Sequence, residues 1–387
     1  MNTEVDLLIL GGGAAGLNLA LQIAEGGGSG LHKTILLEKR TTYENDRTWS
    51  FWSECAPEFK STAHRTFTQL RVRDPSSAAV ATLDCSERPY HVLPSDVFYA
   101  EALRRIRDGK NVSLVLGMEV TEAPLKMGNF WKVKTNEKTY SAKFIVDTRP
   151  SRLSGECREG LFQSFYGIEI ECEQDIFDVV HLDLMDFEEH PHFAIGFTYV
   201  IPFSVTRALI EFTVFAPAAL SRTDLRVAVE GAIARRTMGV KYTRLREESG
   251  ILPMGTPRGP ASSDPTYIKV GVQAGAARAS TGYAFQRIQQ WAVRCAKELE
   301  CGRAPIPHSP DPWFIRWMDR LFISVLRSRP SLAPRLFVKL FGTVQPLSLI
   351  RFLSGDATII DCLKVIFALP FRPFLTELPR VIGAQNE

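Results

Sequence analysis

The sequence lacks paired cysteine motifs, long apolar runs and an N-terminal secretion signal. Its seven cysteines are an odd number, widely scattered and without a CxxC pair, which argues against a disulfide framework and a zinc site. No stretch approaches the roughly 18 uninterrupted apolar residues of a membrane-spanning helix. Glu4 and Asp6 stand where a signal peptide needs positive charge. We therefore expect no metal site, no membrane span and a reducing, cytoplasmic compartment.

Charge and composition exclude two further classes of protein. The 387 residues include 46 basic and 43 acidic side chains, a net charge of +3, so nucleic acid is not expected as a partner. Apolar residues make up 45% of the chain, which excludes a disordered protein. The length predicts two lobes that share a core.

The first forty residues carry a dinucleotide-binding pattern. Residues 5–10 predict a buried strand, residues 11–16 a glycine-rich turn (GGGAAG), and residues 17–25 a helix. A second strand over residues 33–37 ends in Glu38. Strand, glycines, helix, second strand and acid follow in the order that binds a dinucleotide at a helix N-terminus.

Each of these residues has a separate task in that pattern. Gly11 permits the tight turn, Gly13 lets the backbone approach a pyrophosphate, and Gly16 lets the helix pack closely against the strand. The Glu38 carboxylate accepts hydrogen bonds from a ribose diol. Two-lobed flavoproteins commonly begin with this unit, and by that analogy the N-terminal position favours FAD over NAD.

A loop with two tryptophans is predicted at residues 45–52 (NDRTWSFW). In one interpretation it caps the core, with Trp49 and Trp52 buried and Asp46 paired with Arg47. In the other, Arg47 and the indoles lie near a flavin or a flat apolar substrate. Composition does not decide between the two.

The middle of the chain predicts a mostly antiparallel sheet. Residues 141–147 are typical of a strand that returns to the nucleotide-binding sheet. Residues 165–171 and 208–215 alternate with period two and are rich in β-branched and aromatic residues. Glu211 lies among apolar neighbours in the second run. Facing inward, it would have a raised pKa and suit a general acid; facing outward, it would be an ordinary solvated glutamate.

The segment from Tyr267 onward predicts a second cofactor turn. A strand over residues 267–272 precedes a small-residue turn over 273–283 and a helix over 284–299, which suits a flavin's pyrophosphate and isoalloxazine edge. Flavin hydroxylases usually carry Asp after the strand glycine. Here Val272 follows Gly271, which argues against an ordinary aromatic hydroxylase.

The remaining charged segments are interpreted mainly as structural or surface features. Glu247 and Glu248 are expected to be surface charges paired with local arginines, with support of an active site as the less favoured alternative. From Pro312 onward the chain predicts helices with apolar and aromatic faces interleaved with arginines. These helices either pack on the core, which is the favoured interpretation, or form a basic amphipathic surface on lipid.

Motifs spread through most of the chain resemble those of bacterial lycopene β-cyclases, flavoproteins that close the ends of a linear carotene. They are GGGAAGL, NDRTWSFW, VDTRP, FYGIEIE, LMDF, ALIEFT, REESGILPMG, AGAARASTGYAF and FLSGDATIIDCLKVIFALP. Many family members have Asp after the strand glutamate, whereas Phe212 follows Glu211 here, as in another branch of the family. This departure puts in doubt any mechanism that needs two adjacent carboxylates. A second departure is Arg278-Ala279, which lies where proline is common.

The resemblance implies an α/β fold with an FAD-binding Rossmann-like lobe, an antiparallel β-sheet substrate lobe and a helical C-terminal region. The FAD-binding lobe is expected to be discontinuous, over residues 1–60, 90–150 and 265–300. The substrate lobe is expected over residues 151–264. The helical region, over residues 305–387, would face a membrane.

The resemblance also implies roles for individual residues. Glu211 would be the acid, with Thr48, Trp49 and Phe212 in the substrate pocket and Arg47 on the flavin side. The cofactor residues would be Gly11, Gly13, Ala14, Gly16 and Glu38 for the ADP half, and Gly275, Ala276, Thr281 and Gly282 for the flavin half.

The implied reaction is the acid-initiated cyclisation of lycopene and related carotenes. Reduced FAD would be required without net redox change, with NADPH or NADH as reductant. The substrate lives in lipid, so we expect a cytoplasmic protein peripheral to the inner face of the cell membrane. Two alternatives stay open: a flavin-dependent monooxygenase or halogenase on another apolar substrate, and a non-catalytic isoprenoid-binding flavoprotein.

Overall fold

A computed structural model describes residues 2–26, 33–52, 63–109, 111–150, 160–255 and 264–383. Cys55 and Cys157 lie outside these ranges. The five cysteines within the described ranges are free, in agreement with the expected lack of a disulfide framework in that part of the chain.

The first three quarters of the chain are mostly strands, with a few helices between them, and helices follow. The strands are β1 Asn2–Leu10, β2 Thr34–Leu37, β3 Thr48–Trp52, β4 Arg65–Phe67, β5 Gln69–Asp74, β6 Ala79–Asp84, β7 Tyr90–Pro94, β8 Val112–Val115, β9 Leu125–Met127, β10 Phe130–Lys134, β11 Thr139–Asp147, β12 Leu161–Cys172, β13 His181–His190, β14 Phe193–Pro202, β15 Arg207–Ala216, β16 Tyr242–Met254 and β17 Tyr267–Lys269. The helices are α1 Ala14–Glu25, α2 Ser95–Asp108, α3 Arg222–Thr237, α4 Phe285–Glu300, α5 Trp313–Ser328, α6 Ala333–Thr343, α7 Pro346–Ser354, α8 Ile359–Ala368 and α9 Phe371–Gly383.

The first sheet has the strand order β8-β2-β1-β11-β10-β9, and β17 also pairs with β11. The pairs among β8, β2, β1, β11 and β17 are parallel. Leu7 and Ile9 point to the cluster that contains α1, α2 and α4, while Leu8 and Leu10 point to the opposite face with Tyr140. Both faces of β1 are therefore buried, which explains its continuous apolar run.

The second sheet has the strand order β16-β12-β15-β14-β13-β5-β6. Its pairs are antiparallel except that of β13 with β5. One face packs against α3, and the other faces the C-terminal helices. Strands β5 and β6 come from a part of the chain that we had assigned to neither lobe. The domain boundaries themselves stay a prediction.

The C-terminal helices pack with one face on the second sheet. Leu336, Phe337 and Leu340 of α6 belong to the same apolar cluster as Leu70 and Leu83 of β5 and β6. The outer faces of α8 and α9 nevertheless expose large apolar side chains. The fold is therefore compatible both with helices that pack on the core and with helices that form an amphipathic surface on lipid. Among the residues that the structure describes, no helix is long and apolar enough to cross a membrane.

A buried ion pair joins the turn after β17 to these helices. Arg278 donates from Nη2 to Oδ1 of Asp319 at 3.1 Å and from Nε to Oδ2 at 3.3 Å. Ser280 donates to the same carboxylate at 2.8 Å, and the Phe352 ring lies 4.1 Å from the guanidinium carbon. Since both charged side chains are almost fully buried, loss of either one would leave the other without its countercharge.

We expect Asp319→Ala to lower the free energy of unfolding by about 3–5 kcal/mol, because it leaves the Arg278 guanidinium buried and unpaired. Chemical denaturation measures the loss. Glu298→Ala, which removes the partner of the exposed Arg303, is the control and should change stability little. Equal losses in the two variants would contradict a special role for the buried pair.

Candidate functional site

A cavity of about 2420 Å³ is lined by both large sheets and by the C-terminal helices. Its polar part contains the glycine turn after β1, together with Glu38 and Arg47. Its apolar part is walled by side chains from the second sheet and from α5 to α9, among them Phe197, Phe215, Phe322, Phe341 and Leu369. The polar region thus continues into space suited to an apolar molecule.

The turn between β1 and α1 leaves room for a phosphate group. Gly11 has a φ of +97°, a conformation that other residues rarely adopt. Gly13 begins α1 without a side-chain cap, and a Cβ placed there would meet nothing within 4 Å. Ala14 lines the cavity, whereas Gly16 packs against the backbone of Gly11 behind it. The open N-terminus of α1 therefore faces the cavity with free N–H groups.

Glu38 lies at the end of β2 as an ionised acceptor. Its Oε2 accepts from the Gly12 backbone at 2.6 Å, and its Oε1 accepts from Arg40 Nε at 3.1 Å. Burial opposes ionisation, but the hydrogen bonds and the charge of Arg40 outweigh it and keep the pKa of Glu38 below its ordinary value. A carboxylate so held can accept further hydrogen bonds from a ribose.

The second turn places only part of its predicted residues at the cavity. Thr281 and Gly282 line the cavity. Gly275 and Ala276 do not: Gly275 closes a short 3₁₀ turn over Val272–Ala274 and Ala276 is buried in the core beneath α4. The prediction that Gly275 and Ala276 line the site is therefore wrong, because the 3₁₀ turn presents Val272, Gln273 and Ala274 to the cavity instead.

The sequence did not single out His308, which supports this turn. Its Nε2 accepts a hydrogen bond from the Gly271 backbone at 3.0 Å, and its ring lies 4.9 Å from that of Trp291. Burial lowers the pKa of His308 to about 3, so the ring is neutral and free to accept. A histidine after a proline-rich segment carries no pattern from which this role could be read.

The tryptophan segment is partly a strand, because residues 48–52 pair with β7. Trp49 stacks on Phe285 with ring centroids 5.3 Å apart and also lines the cavity. Arg47 lines the cavity and pairs with Asp46. Trp52 is buried in the core. The two interpretations of this segment are therefore combined in the structure.

Glu211 lies on β15 with its side chain toward the cavity. It is only 8% exposed, and Thr213 donates a hydrogen bond to its Oε1 at 2.9 Å. The prediction that Phe212 lines the pocket is wrong. Since successive side chains on a strand point to opposite faces, Phe212 packs on the α3 side of the sheet.

Glu248 was expected at the surface, and this prediction is also wrong. It is 5% exposed and lines the cavity, while the preceding Glu247 points away from it and pairs with Arg222. Gly167 on β12 is in register with Glu211 on one side and with Glu248 on the other. The two carboxylates therefore lie on the same face of the sheet, separated by a residue without a side chain. The alternation of residues 246–248 predicts that Glu247 and Glu248 lie on opposite faces of the strand, but not which face is buried.

The two carboxyl groups influence each other's ionisation. Burial and then the charge of Glu248 raise the pKa of Glu211 to about 8. Burial also raises the pKa of Glu248, against the opposing effect of Arg246 and Thr48. Thr48 donates to Glu248 at 2.8 Å, and Arg246 donates to Thr48 at 2.7 Å. This places Thr48 beneath the acid pair in the cavity wall.

Two phenols complete the polar wall near the acids. Tyr90 on β7 and Tyr199 on β14 line the cavity, and burial raises the pKa of both. Tyr199 is the register partner of Glu211 on the side opposite Gly167. A buried carboxyl group with a raised pKa thus lies beside two buried phenols at the edge of an apolar space. Such a site is suited to acid–base chemistry on a substrate without polar groups.

Solved structures of other proteins have the same fold. A geranylgeranyl bacteriochlorophyll reductase-like protein from Thermoplasma acidophilum superposes with a TM-score of 0.64 over 98% of this chain and 100% of its own, at 14% identity. A flavin-dependent brominase gives the same TM-score, identity and coverage. The chain therefore has the fold of these proteins, with a Rossmann-like α/β lobe, a sheet lobe and a helical C-terminal region, as predicted.

Sequence comparison is more specific. The model of the family described as "Lycopene cyclase protein" matches residues 6–378, so the chain belongs to that family. A lycopene beta-cyclase from Paracoccus sp. (strain N81106 / MBIC 01143) is 30% identical over 254 residues. That alignment spans 60% of this chain and 63% of the relative.

Two glycine variants separate a cofactor cradle from a packing contact. Gly13→Ala should leave the unfolding transition of flavin-free protein nearly unchanged, because its Cβ has open space and its φ of −78° suits alanine. It should strongly reduce the flavin absorbance of purified protein, because the new methyl group lies where a pyrophosphate would approach.

Gly16→Ala is the matched comparison, because its Cβ would overlap the carbonyl oxygen of Gly11. It should lower both flavin content and stability. Full flavin loading of Gly13→Ala would contradict the assignment of this turn.

Proposed function

We propose that the protein is a lycopene β-cyclase, and the observation that carries the proposal is the buried Glu211 carboxyl group, on the same sheet face as Glu248, at the edge of a large apolar cavity. Lycopene is a hydrocarbon polyene and offers no group to a nucleophile. Ring closure must begin with protonation of a terminal double bond. A neighbouring double bond then attacks the tertiary cation, and loss of a ring proton yields a β-ionone ring. One cyclised end gives γ-carotene and two give β-carotene.

Glu211 performs both proton transfers in this proposal. Its carboxyl group gives a proton to the less substituted carbon of the terminal double bond, which leaves the tertiary cation on the other carbon, and the resulting carboxylate takes the proton lost from the ring. Protons and electrons balance over each closure, so the net reaction is an isomerisation. Aromatic side chains in the cavity wall, such as Phe197, Phe215 and Trp49, would stabilise the carbocation through their ring faces and exclude water.

The residues at the polar end of the cavity fit FAD. The uncapped N-terminus of α1 and the open space at Gly13 suit the pyrophosphate, and Glu38 suits the ribose. At the other turn, the buried Oε1 of Gln273 has no hydrogen-bond partner among the described residues, which leaves an acceptor for the flavin half. Reduced FAD, maintained by NADPH or NADH, would supply negative charge that stabilises a developing cation.

The test is expression in a bacterial host that accumulates lycopene, with pigments separated by chromatography. Native protein should convert lycopene to bicyclic carotene. Glu211→Gln should lose the conversion by at least about 100-fold, because the amide cannot donate the proton. Glu247→Gln, on the opposite face of the sheet, should behave as native.

Unchanged lycopene in the presence of soluble, flavin-loaded protein would reject the cyclase. Stoichiometric consumption of NADPH and oxygen would then favour a monooxygenase or halogenase, for which the fold shared with a brominase is the supporting observation. Purified protein free of flavin would instead favour a non-catalytic isoprenoid-binding protein.

We also propose that the C-terminal helices dock on the inner face of the cell membrane. Residues 313–383 contain ten Lys or Arg and four Asp or Glu, whereas the whole chain is nearly balanced. An anionic leaflet attracts such a segment. Helices α8 and α9 expose large apolar side chains at Ile359, Ile360, Leu363, Phe367, Phe371, Leu375 and Ile382. Phe371 and Leu375 also line the cavity, which supports entry of the substrate from lipid.

Sedimentation with phosphatidylglycerol vesicles tests this docking. The double variant Ile360→Glu/Phe367→Glu should bind at least about tenfold more weakly, because both exposed side chains would leave the acyl region. Val227→Glu, on the equally exposed outer face of α3, is the control and should bind as native. Unchanged binding of the double variant would reject this surface.

A further inference from the structure

We propose that Glu248 is a positioning residue for the acid: its carboxylate, held ionised by Arg246 and Thr48, faces Glu211 across Gly167 and keeps the single proton of the pair on Glu211. The inference deepens the proposed function and rests on it. It assigns a role to a buried carboxylate that the cyclisation scheme above does not use.

The backbone register brings the two carboxyl groups together. Glu211 and Glu248 lie two strands apart, at about 10 Å between backbones, and both are in register with Gly167. A Cβ at Gly167 would come within 3.1 Å of the Glu211 Cβ. The missing side chain therefore leaves the space through which the two carboxyl groups face each other.

A chain of alternating charges decides which carboxyl group holds the proton. Arg207 and Arg246 both donate to Glu169, which is 1% exposed, and Arg246 also donates to Glu248. Two guanidinium groups thus neutralise two carboxylates. Glu211 is the third carboxyl group of the cluster and has no guanidinium left to pair with among these residues.

The hydrogen-bond donors agree with the charge count. Glu248 accepts from a guanidinium and from the Thr48 hydroxyl, both of which favour its ionised form. Glu211 accepts from the Thr213 hydroxyl. The ionisable and charged groups that face the pair from neighbouring elements are Arg246 of β16, Tyr199 of β14, Tyr90 of β7 and, toward Glu248, Arg47.

This arrangement has a consequence for each ring closure. A fixed negative charge at Glu248 raises the free energy of the Glu211 carboxylate and so favours its protonated form. After the proton has moved to the substrate, two carboxylates face the carbocation. The ring proton then returns to Glu211, since Glu248 is already satisfied by its donors.

The experiment is a pH titration of the protonated carboxyl band by infrared difference spectroscopy, on purified full-length protein without substrate. Glu211→Gln should remove the band that titrates near pH 8. Glu248→Gln should move its midpoint down by about one pH unit or more, because the repelling charge is gone. Glu248→Asp should keep most of the native midpoint, and Glu247→Gln should keep all of it.

A native midpoint in Glu248→Gln would overturn the proposal, and so would loss of the band in Glu248→Gln with its retention in Glu211→Gln. The cyclisation assay adds a second readout. Activity depends on protonated Glu211, so the alkaline limb of the pH profile should shift down with the infrared midpoint. The expected titration in a protein without any cyclase activity would reject the proposed function alone, because the titration does not depend on substrate.

Discussion

The ionisation of the carboxyl groups at the site depends on the burial of both faces of the second sheet. Along β15 the side chains of Ala208, Ile210, Phe212 and Val214 pack toward α3, while Glu211, Thr213 and Phe215 face the cavity. A sheet buried on both faces cannot leave a carboxyl group to water, so any acid on the inner face is desolvated. The same alternation that builds the core therefore determines which glutamates are chemically unusual.

The remaining parts of the fold enclose this inner face. The first sheet brings the glycine turn at residues 11–16 to one side, and the C-terminal helices close the other. The Arg278–Asp319 pair connects the two, because the arginine lies in the turn after β17 and the aspartate lies on α5. A charge pair inside an apolar interface specifies one relative placement of its elements more sharply than further apolar contacts would.

Local patterns were sufficient for the glycine turn, for the position of Glu38 at the end of β2 and for the strand that carries Glu211, because each depends on neighbours within about twenty residues. They were insufficient where distant strands decide the outcome. Strand β5 pairs in parallel with β13, more than a hundred residues away. Glu248 could not be told from Glu247 without knowing which face of β16 is covered. Phe212 was misplaced because a family motif, rather than the period of the strand, guided its assignment.

Phe371 and Leu375, which we take as the mouth of the cavity, have a consequence for the kinetics of the proposed enzyme. Phe371 and Leu375 are exposed on one side and line the cavity on the other. A polyene dissolved in a leaflet would reach such a mouth by lateral diffusion, without a passage through water that costs about 25 cal/mol for each Å² of apolar surface. Turnover would then follow the mole fraction of carotene in the bilayer rather than its amount per volume of cytoplasm. The product is also a hydrocarbon, so it would return to the same bilayer.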